Sequence, residues 1–277
     1  MPTDDTVSPA DHALRARYGD QDARWRGPWN DTIATMIAHR SVRRFAEGDV
    51  DDDTLSALIA AAQSASTSSN LQSWSVVAVR DGERKRQLRE LAADQSFIEQ
   101  APVVLVWLAD FSRAQQLADA AGVPLAAAEL VESTIVGVVD AALAAQNALV
   151  AAESLGLGGV YIGAMRNRPD EVAELLGLPA RTFAVFGLAV GHPDPADRAG
   201  VKPRLPQAAV LHHERYDASR VGALLDTHEQ AQDAYNATQG RHVSWRQAVL
   251  RRLSDYSNLS GRERLRSSLE RRGLPSR

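Results

Sequence analysis

Four stretches of the chain are apolar enough to form strands: SWSVVAVR (73–80), PVVLVWLA (102–109), GGVYIGA (158–164) and AVFGLAVG (184–191). The second and fourth lack polar alternation, which predicts central strands covered on both faces. Between the second and third runs a long helical signal, about 133–154, with Gly156 placed to close it in a left-handed conformation. Its sequence, TIVGVVDAALAAQNALVAAES, leaves no broad polar face, so this helix belongs in the centre of the fold or at a subunit interface. Two shorter helices precede the strands. One covers 32–38 with Asn30 or Asp31 as its cap. The other covers about 53–65, where Leu55, Leu58, Ile59 and Ala62 fall at i, i+3, i+4 and i+7 as one buried stripe. The pattern predicts an α+β fold, a mostly antiparallel or mixed sheet with helices on both faces.

The flanks read differently. Residues 1–28 are polar and mixed in charge and form an N-terminal arm, leaving 29–277 as one domain. HPDPADRAGVKPRLP (192–206) holds four prolines and is an irregular loop. Helical segments resume near 221–235, 245–253 and 262–272. The span 220–277 is an excursion wrapping the core, too thin in apolar residues for a core of its own.

Composition narrows the function classes. With 44% hydrophobic and 24% charged residues, the chain of 277 is ordinary for a globular protein. It has no cysteine, which excludes a disulfide framework, a thiolate metal site and a cysteine nucleophile. No apolar leader and no later run long and apolar enough for a bilayer are visible, so a soluble, cytoplasmic protein without a membrane partner is expected. The net charge of −4 is uneven: residues 241–277 carry +7 and the remainder −11. That basic tail suits a solvated helix face or an anionic cofactor; no nucleic-acid recognition motif accompanies it.

The most informative chemistry is His39-Arg40-Ser41-Val42-Arg43-Arg44-Phe45. An extended backbone there can converge an imidazole, a guanidinium fork and a hydroxyl on one phosphate; a basic strand end at the surface is the alternative. Downstream, Lys202-Pro203-Arg204-Leu205-Pro206 holds two cations in a loop stiffened by proline. The chain has only two lysines, Lys85 and Lys202, so an ammonium kept at 202 suggests a site that needs a compact charge. The glycines of Gly156-Leu157-Gly158-Gly159-Val160-Tyr161-Ile162-Gly163 fail the dinucleotide G-x-G-x-x-G test, because position 161 is Tyr and the run enters a strand. Glycines around a strand instead let backbone approach a flat ligand closely.

Together these residues resemble the nitroreductase superfamily, in its oxygen-insensitive NADPH nitroreductase and NADPH–flavin oxidoreductase branch. The strings that carry the resemblance are HRSVRRF (39–45), STSSNLQ (66–72), the Gln95 segment DQSF, VDAALAAQNALVAAESLGLGGVYIGAMRN (139–167), VFGLAVGHP (185–193) and KPRLP (202–206). It covers the chain from about 31 to the C-terminus. It implies a three-layer α-β-α sandwich, an intertwined homodimer and FMN held at the interface between subunits. His39, Arg40 and Ser41 would hold the FMN phosphate with Lys202 and Arg204. Arg43 would stabilise charge on the reduced ring at its N1–C2=O edge, as the catalytic residue. Gln95 would contact the ribityl chain or ring, and Tyr161, Ile162, Gly163 and Ala164 would line one face of the isoalloxazine. Thr67, Ser68 and Ser69 would reach the flavin from the other subunit.

The implied reaction is ping-pong hydride transfer from NADPH through flavin N5 to nitroaromatics, quinones or similar small acceptors, with no acid–base pair required. A flavin reductase that releases reduced FMN, and a non-catalytic flavin-binding protein, are the other readings of the same resemblance. Departures from the family pattern touch detail. Ala164 replaces a second glycine, and its methyl would shift the ring. The loop that in relatives grips the 2′-phosphate of NADPH is shortened to NATQGRHVSW (236–245), with Gln239 where an arginine is expected, leaving Arg241 and His242 as its candidates; Arg262 matches a family arginine near the active-site mouth.

Other features carry no chemistry. Adjacent His212 and His213 with Glu214 point apart without a spaced third ligand, so no metal is expected. Asp51, Asp52 and Asp53 read as an acidic helix start. The serine-rich 64–69 stretch lacks a nucleophile elbow, and Trp107 and Trp245 read as packing residues.

Overall fold

The computed structural model describes residues 8–19, 25 and 27–277. Helices α1 (Pro9–Tyr18) and α2 (Asp31–Ala38) come first, followed by α3 (Asp52–Gln63), β1 (Trp74–Val79), α4 (Gly82–Leu91) and the single turn α5 (Phe97–Gln100). Then come β2 (Val103–Asp110), α6 (Ser112–Ala121), the long α7 (Val131–Ser154), β3 (Gly158–Ile162), α8 (Pro169–Leu175) and β4 (Thr182–Gly191). After an irregular stretch the chain ends with α9 (Val221–Thr238), α10 (Trp245–Leu253) and α11 (Leu265–Arg271). Contacts divide it into two units. One joins the described part of Met1–Arg40 to Arg198–Asn258, and the other joins Ser41–Asp197 to Leu259–Arg277.

The second unit is the α+β body. Its four strands lie in the order β1-β2-β4-β3, each neighbouring pair antiparallel. Alternate residues of β2 serve opposite layers. Leu105 and Trp107 pack with Leu58 of α3 and Ala144, Ala148 and Leu149 of α7. Val104, Val106 and Leu108 pack with Leu88 of α4, Ile98 of α5 and Val172 of α8. Every residue of β2 is buried, which explains why the segment shows no polar alternation. Within this unit the layering is helix, sheet, helix. Each fully buried Leu or Val contributes about 1.5–3 kcal/mol relative to exposure.

Helix α7 corrects one expectation from the sequence. By length and composition its 24 residues would suffice to cross a bilayer. The small face of Ala141, Ala144, Ala145, Ala148 and Ala152 is buried, which lets the backbone approach the sheet closely and makes the helix apolar overall. A second apolar row stays exposed: Val131, Ile135, Val139 and Leu143, one turn apart.

The glycine run also behaves differently from expectation. Gly156 (φ +78°) closes α7 in the left-handed region, where glycine is at ease. Gly158 and Gly159, however, make room for the protein and not for a ligand. A Cβ at Gly158 would stand 2.5 Å from the Val42 side chain, and one at Gly159 would stand 2.9 Å from the Ala189 carbonyl. That closeness lets Val42 N–H donate to the Gly159 carbonyl at 3.0 Å, while Ser41 pairs in parallel with Gly159.

In the first unit, α1 begins with a reciprocal cap. Ser8 Oγ accepts from the Asp11 N–H, Asp11 accepts from the Ser8 N–H, and Pro9 opens the helix. α2 starts at Asn30, whose side chain accepts from the Ile33 N–H. Between α9 and α10 the segment 236–245 is a pinned turn: Asn236 donates to the Val243 carbonyl at 2.8 Å, Gly240 takes φ +63°, and Ser244 caps α10.

Candidate functional site

In the first unit one buried guanidinium joins chain segments more than 160 residues apart. Arg17, in the last turn of α1, is only 6% exposed. It donates to the Ile37 carbonyl at 2.6 Å, the His39 carbonyl at 2.7 Å and the Lys202 carbonyl at 2.9 Å, and its own carbonyl accepts from the Arg204 N–H at 2.8 Å. The last carbonyls of a helix have no partner within it, and α2 has no basic residue in its last turn. Arg17 supplies that charge from another helix, and it also fixes the irregular 202–204 segment. Pro203 and Pro206 are buried and Arg204 is exposed, so the prolines anchor the loop while the cation faces outward. His39, Arg40 and Lys202 are half-buried on the fastened segments.

Beside Lys202 and Arg204 opens a hollow of about 800 Å³, whose wall also includes Arg241, His242, His228 and Trp245. His228 packs edge-on to Trp245, ring centroids 4.8 Å apart. Burial pulls its pKa below the usual histidine value, against a hydrogen bond with the Arg204 backbone that raises it. The imidazole is therefore neutral, and its buried Nδ1 meets no hydrogen-bonding partner among the described residues. The other lysine plays a different part, in the second unit: Lys85 is buried and donates to the Ala101 carbonyl at 2.6 Å.

The second unit carries the remaining residues singled out from the sequence. Arg43 is exposed and its guanidinium lies 6.0 Å from the centre of the Phe97 ring, which brings the HRSVRRF string to the DQSF string. Gln95 is turned back, donating to the Ala92 carbonyl at 2.8 Å. β3 gives way to a 3₁₀ turn, Gly163–Arg166, and the side chains around this junction part. Ile162 and Ala164 are buried in the core, whereas Tyr161 faces out, edge-on to Phe186, its hydroxyl donating to the Gln146 side-chain amide oxygen at 3.4 Å. Ile162 and Ala164 can therefore meet a flat ligand only through backbone, and the Ala164 methyl, expected to shift such a ligand, points into the core instead. Burial, then the Glu153 carboxylate, push the Tyr161 phenol above its ordinary value, so it stays protonated. Gly163 is flanked by the ends of Arg166 and Arg262: a Cβ there would be in ordinary contact, 3.5 Å and 3.8 Å from their terminal nitrogens. Arg262 is steadied by the Asn167 side chain at 2.8 Å and Arg166 by the Val185 carbonyl.

Thr67, Ser68 and Ser69 sit on a loop whose Ser69, Asn70 and Gln72 adopt left-handed backbone (φ +49°, +55° and +52°). Asp140, buried on α7, holds this loop by accepting from the Ser68 N–H at 3.1 Å and the Ser73 N–H at 3.0 Å. Arg241 and Arg262 fall in different units.

Three residues that sequence reasoning missed matter here. Asp140 was visible as the acid in the middle of a helix whose other two acids, Glu132 and Glu153, lie at its ends. Arg166 lay inside a quoted string without being singled out. Arg17 had no signal, because a side chain that binds distant backbone leaves no spacing pattern.

Comparison with known proteins adds a family context. The model described as "Nitroreductase family" matches residues 36–192, and "Nitroreductase family, C-terminal domain" matches 202–277. An NADPH-flavin oxidoreductase of Vibrio harveyi is 39% identical over 231 residues, covering 82% of this chain and 93% of the relative. An FMN reductase (NADPH) of Bacillus subtilis is 45% identical over 193 residues, covering 69% of this chain and 76% of its own. The solved structure of NfrA2 from B. megaterium superposes with a TM-score of 0.84 at 39% identity, over 89% of this chain and 98% of that one.

Proposed function

Because the chain belongs to the nitroreductase family, we propose that it is an FMN-dependent oxidoreductase that takes hydride from NADPH and delivers it to nitroaromatics, quinones or similar small acceptors. The observation that carries this reading is the Arg17 clasp, which keeps the His39–Arg40 and Lys202–Arg204 backbones at one place. Their side chains form a donor set suited to a phosphate dianion: an imidazole, two guanidinium forks and one ammonium, with Ser41 next in the chain. The residues present therefore fit the phosphate end of FMN. The inward turn of Ile162 and Ala164, with only the flexible ends of Arg166 and Arg262 beside Gly163, fits a flat ring lying against backbone.

On this reading His39, Arg40, Ser41, Lys202 and Arg204 hold the phosphate, each charge-assisted bond contributing about 1.5–3 kcal/mol. FMN held there would supply two-electron hydride chemistry between a nicotinamide and the acceptor. Arg43 presents a positive charge to the electron-rich edge of the ring and favours its charged state. Gln95, once rotated from Ala92, serves as a side-chain amide for the ribityl chain. Tyr161 offers a phenol that stays protonated, and Gly163 leaves room above the backbone. Arg241 and Arg262 attract the phosphates of NADPH, and donor and acceptor use the same space in turn, hence a ping-pong cycle. The exposed row Val131, Ile135, Val139 and Leu143 on α7 supports a homodimer, with Thr67, Ser68 and Ser69 serving the partner's flavin. A cytoplasmic location suits a protein that draws on NADPH.

The absorption spectrum of the purified chain tests the proposal. A yellow protein that bleaches with NADPH and recovers on adding a nitroaromatic supports it; a colourless protein that binds no added FMN refutes it. Val139→Asp should halve the apparent mass in gel filtration. The name of the B. subtilis relative favours a second reading, release of reduced FMN to other proteins. Flavin that leaves during dialysis would support that reading over retained flavin.

A further inference from the structure

Arg17 precedes the first residue matched by either family model, yet its side chain ties the two segments on which the proposed phosphate site depends. We infer that Arg17, carried on α1, is a positioning residue for the FMN phosphate, setting how strongly this chain prefers a phosphorylated flavin to one without phosphate. The inference rests on the flavin reading above.

Anion sites usually form at helix N-termini, where N–H groups and the positive end of the dipole face the ligand. Here the segment that would meet the phosphate, His39–Arg40, leaves the C-terminus of α2, the negative end. The Ile37 and His39 carbonyls that express this negative end are the ones Arg17 takes up. Its charge cancels an unfavourable dipole beside the anion, and its planar fork reaches the Lys202 carbonyl at the same time. A lysine in its place would keep the charge without the fork. The helix that bears Arg17 is well fixed: its reciprocal cap holds the start, Ala10 and Leu14 are buried, and Asp11 also accepts from the Trp25 N–H at 2.7 Å.

Binding of FMN and of riboflavin to the flavin-free full-length chain, followed by flavin fluorescence, tests the inference. In Arg17→Ala, FMN affinity should fall by about tenfold or more, in line with a charge contribution at a helix terminus plus lost alignment. Riboflavin affinity should change by less than about twofold, since it has no phosphate to feel either effect. Arg17→Lys should lie between, keeping the charge but not the alignment, and it carries the test if Arg17→Ala does not fold. An equal loss for both flavins, or no loss for FMN, overturns the inference while leaving the flavin reading intact. A wild-type chain that binds FMN no better than riboflavin would instead refute the phosphate site itself.

Discussion

The sheet around β2 and the segments tied by Arg17 are held by opposite means. In β2 each residue is buried, and from Val103 to Ala109 the side-chain contacts are apolar and many. At Arg17 the bonds donated by one guanidinium and accepted by its own carbonyl define the geometry. The first kind of cohesion is a sum over area, so it tolerates small errors and resists unfolding. The second is a fixed arrangement that a single substitution dissolves, which suits a place whose task is orientation.

Substitutions in each region should separate these two kinds of effect. Leu105→Ala, leaving a void between β2 and α7, should cost about 2–5 kcal/mol in urea unfolding and spare the FMN-to-riboflavin preference. Arg40→Ala should do the reverse, lowering FMN affinity by about 1.5–3 kcal/mol with little change in the unfolding midpoint of the flavin-free chain. If Arg40→Ala unfolded the protein while leaving flavin binding alone, the contrast would be broken. Asp140→Asn keeps one acceptor for the 68–73 loop and replaces the other, so a loss of about 1–2 kcal/mol is expected, with faster hydrogen exchange at Ser68 or Ser73.

Acid sharpens the contrast within the second unit. Burial would raise the Asp110 carboxyl, but hydrogen bonds from Ser112 and Ser75 and the Arg113 guanidinium outweigh it, leaving the group below the usual aspartate value. A depressed folded-state pKa stabilises above the unfolded pKa and is lost as pH falls through the folded one. Unfolding measured through the range below pH 4 should therefore be steeper for the wild type than for Asp110→Asn. Smallest of all, removing the exposed Arg246–Asp226 pair by Arg246→Ala should change stability by less than about 0.5 kcal/mol.

The sequence revealed these regions unevenly, for physical reasons. Strands expected at 102–109 and 184–191 appear as Val103–Asp110 and Thr182–Gly191, because a strand buried on both faces announces itself by unbroken apolarity. Helix α1 had a readable start in Ser8-Pro9 with Asp11, but its polar composition made residues 1–28 look like an arm. Helices α4, α6 and α8 escaped for a similar reason, each being short and largely polar. The glycines at 158 and 159 pointed to close approach, but which partner approaches is a tertiary fact, and it proved to be Val42 and the Ala189 backbone. At Tyr161 and Ile162 the strand alternation that sends Ile162 inward was legible from spacing alone, whereas Ala164 turns inward on the 3₁₀ turn that follows β3.

The near absence of lysine gives the cradle a chemical tag. With the Lys85 amine buried against the Ala101 carbonyl, Lys202 is the half-exposed lysine of the pair. An amine-acylating reagent should therefore mark this chain chiefly at one internal peptide, apart from its first residue. The extent of that one added mass then reads how much of the cradle is covered, in a crude extract as readily as in a pure sample.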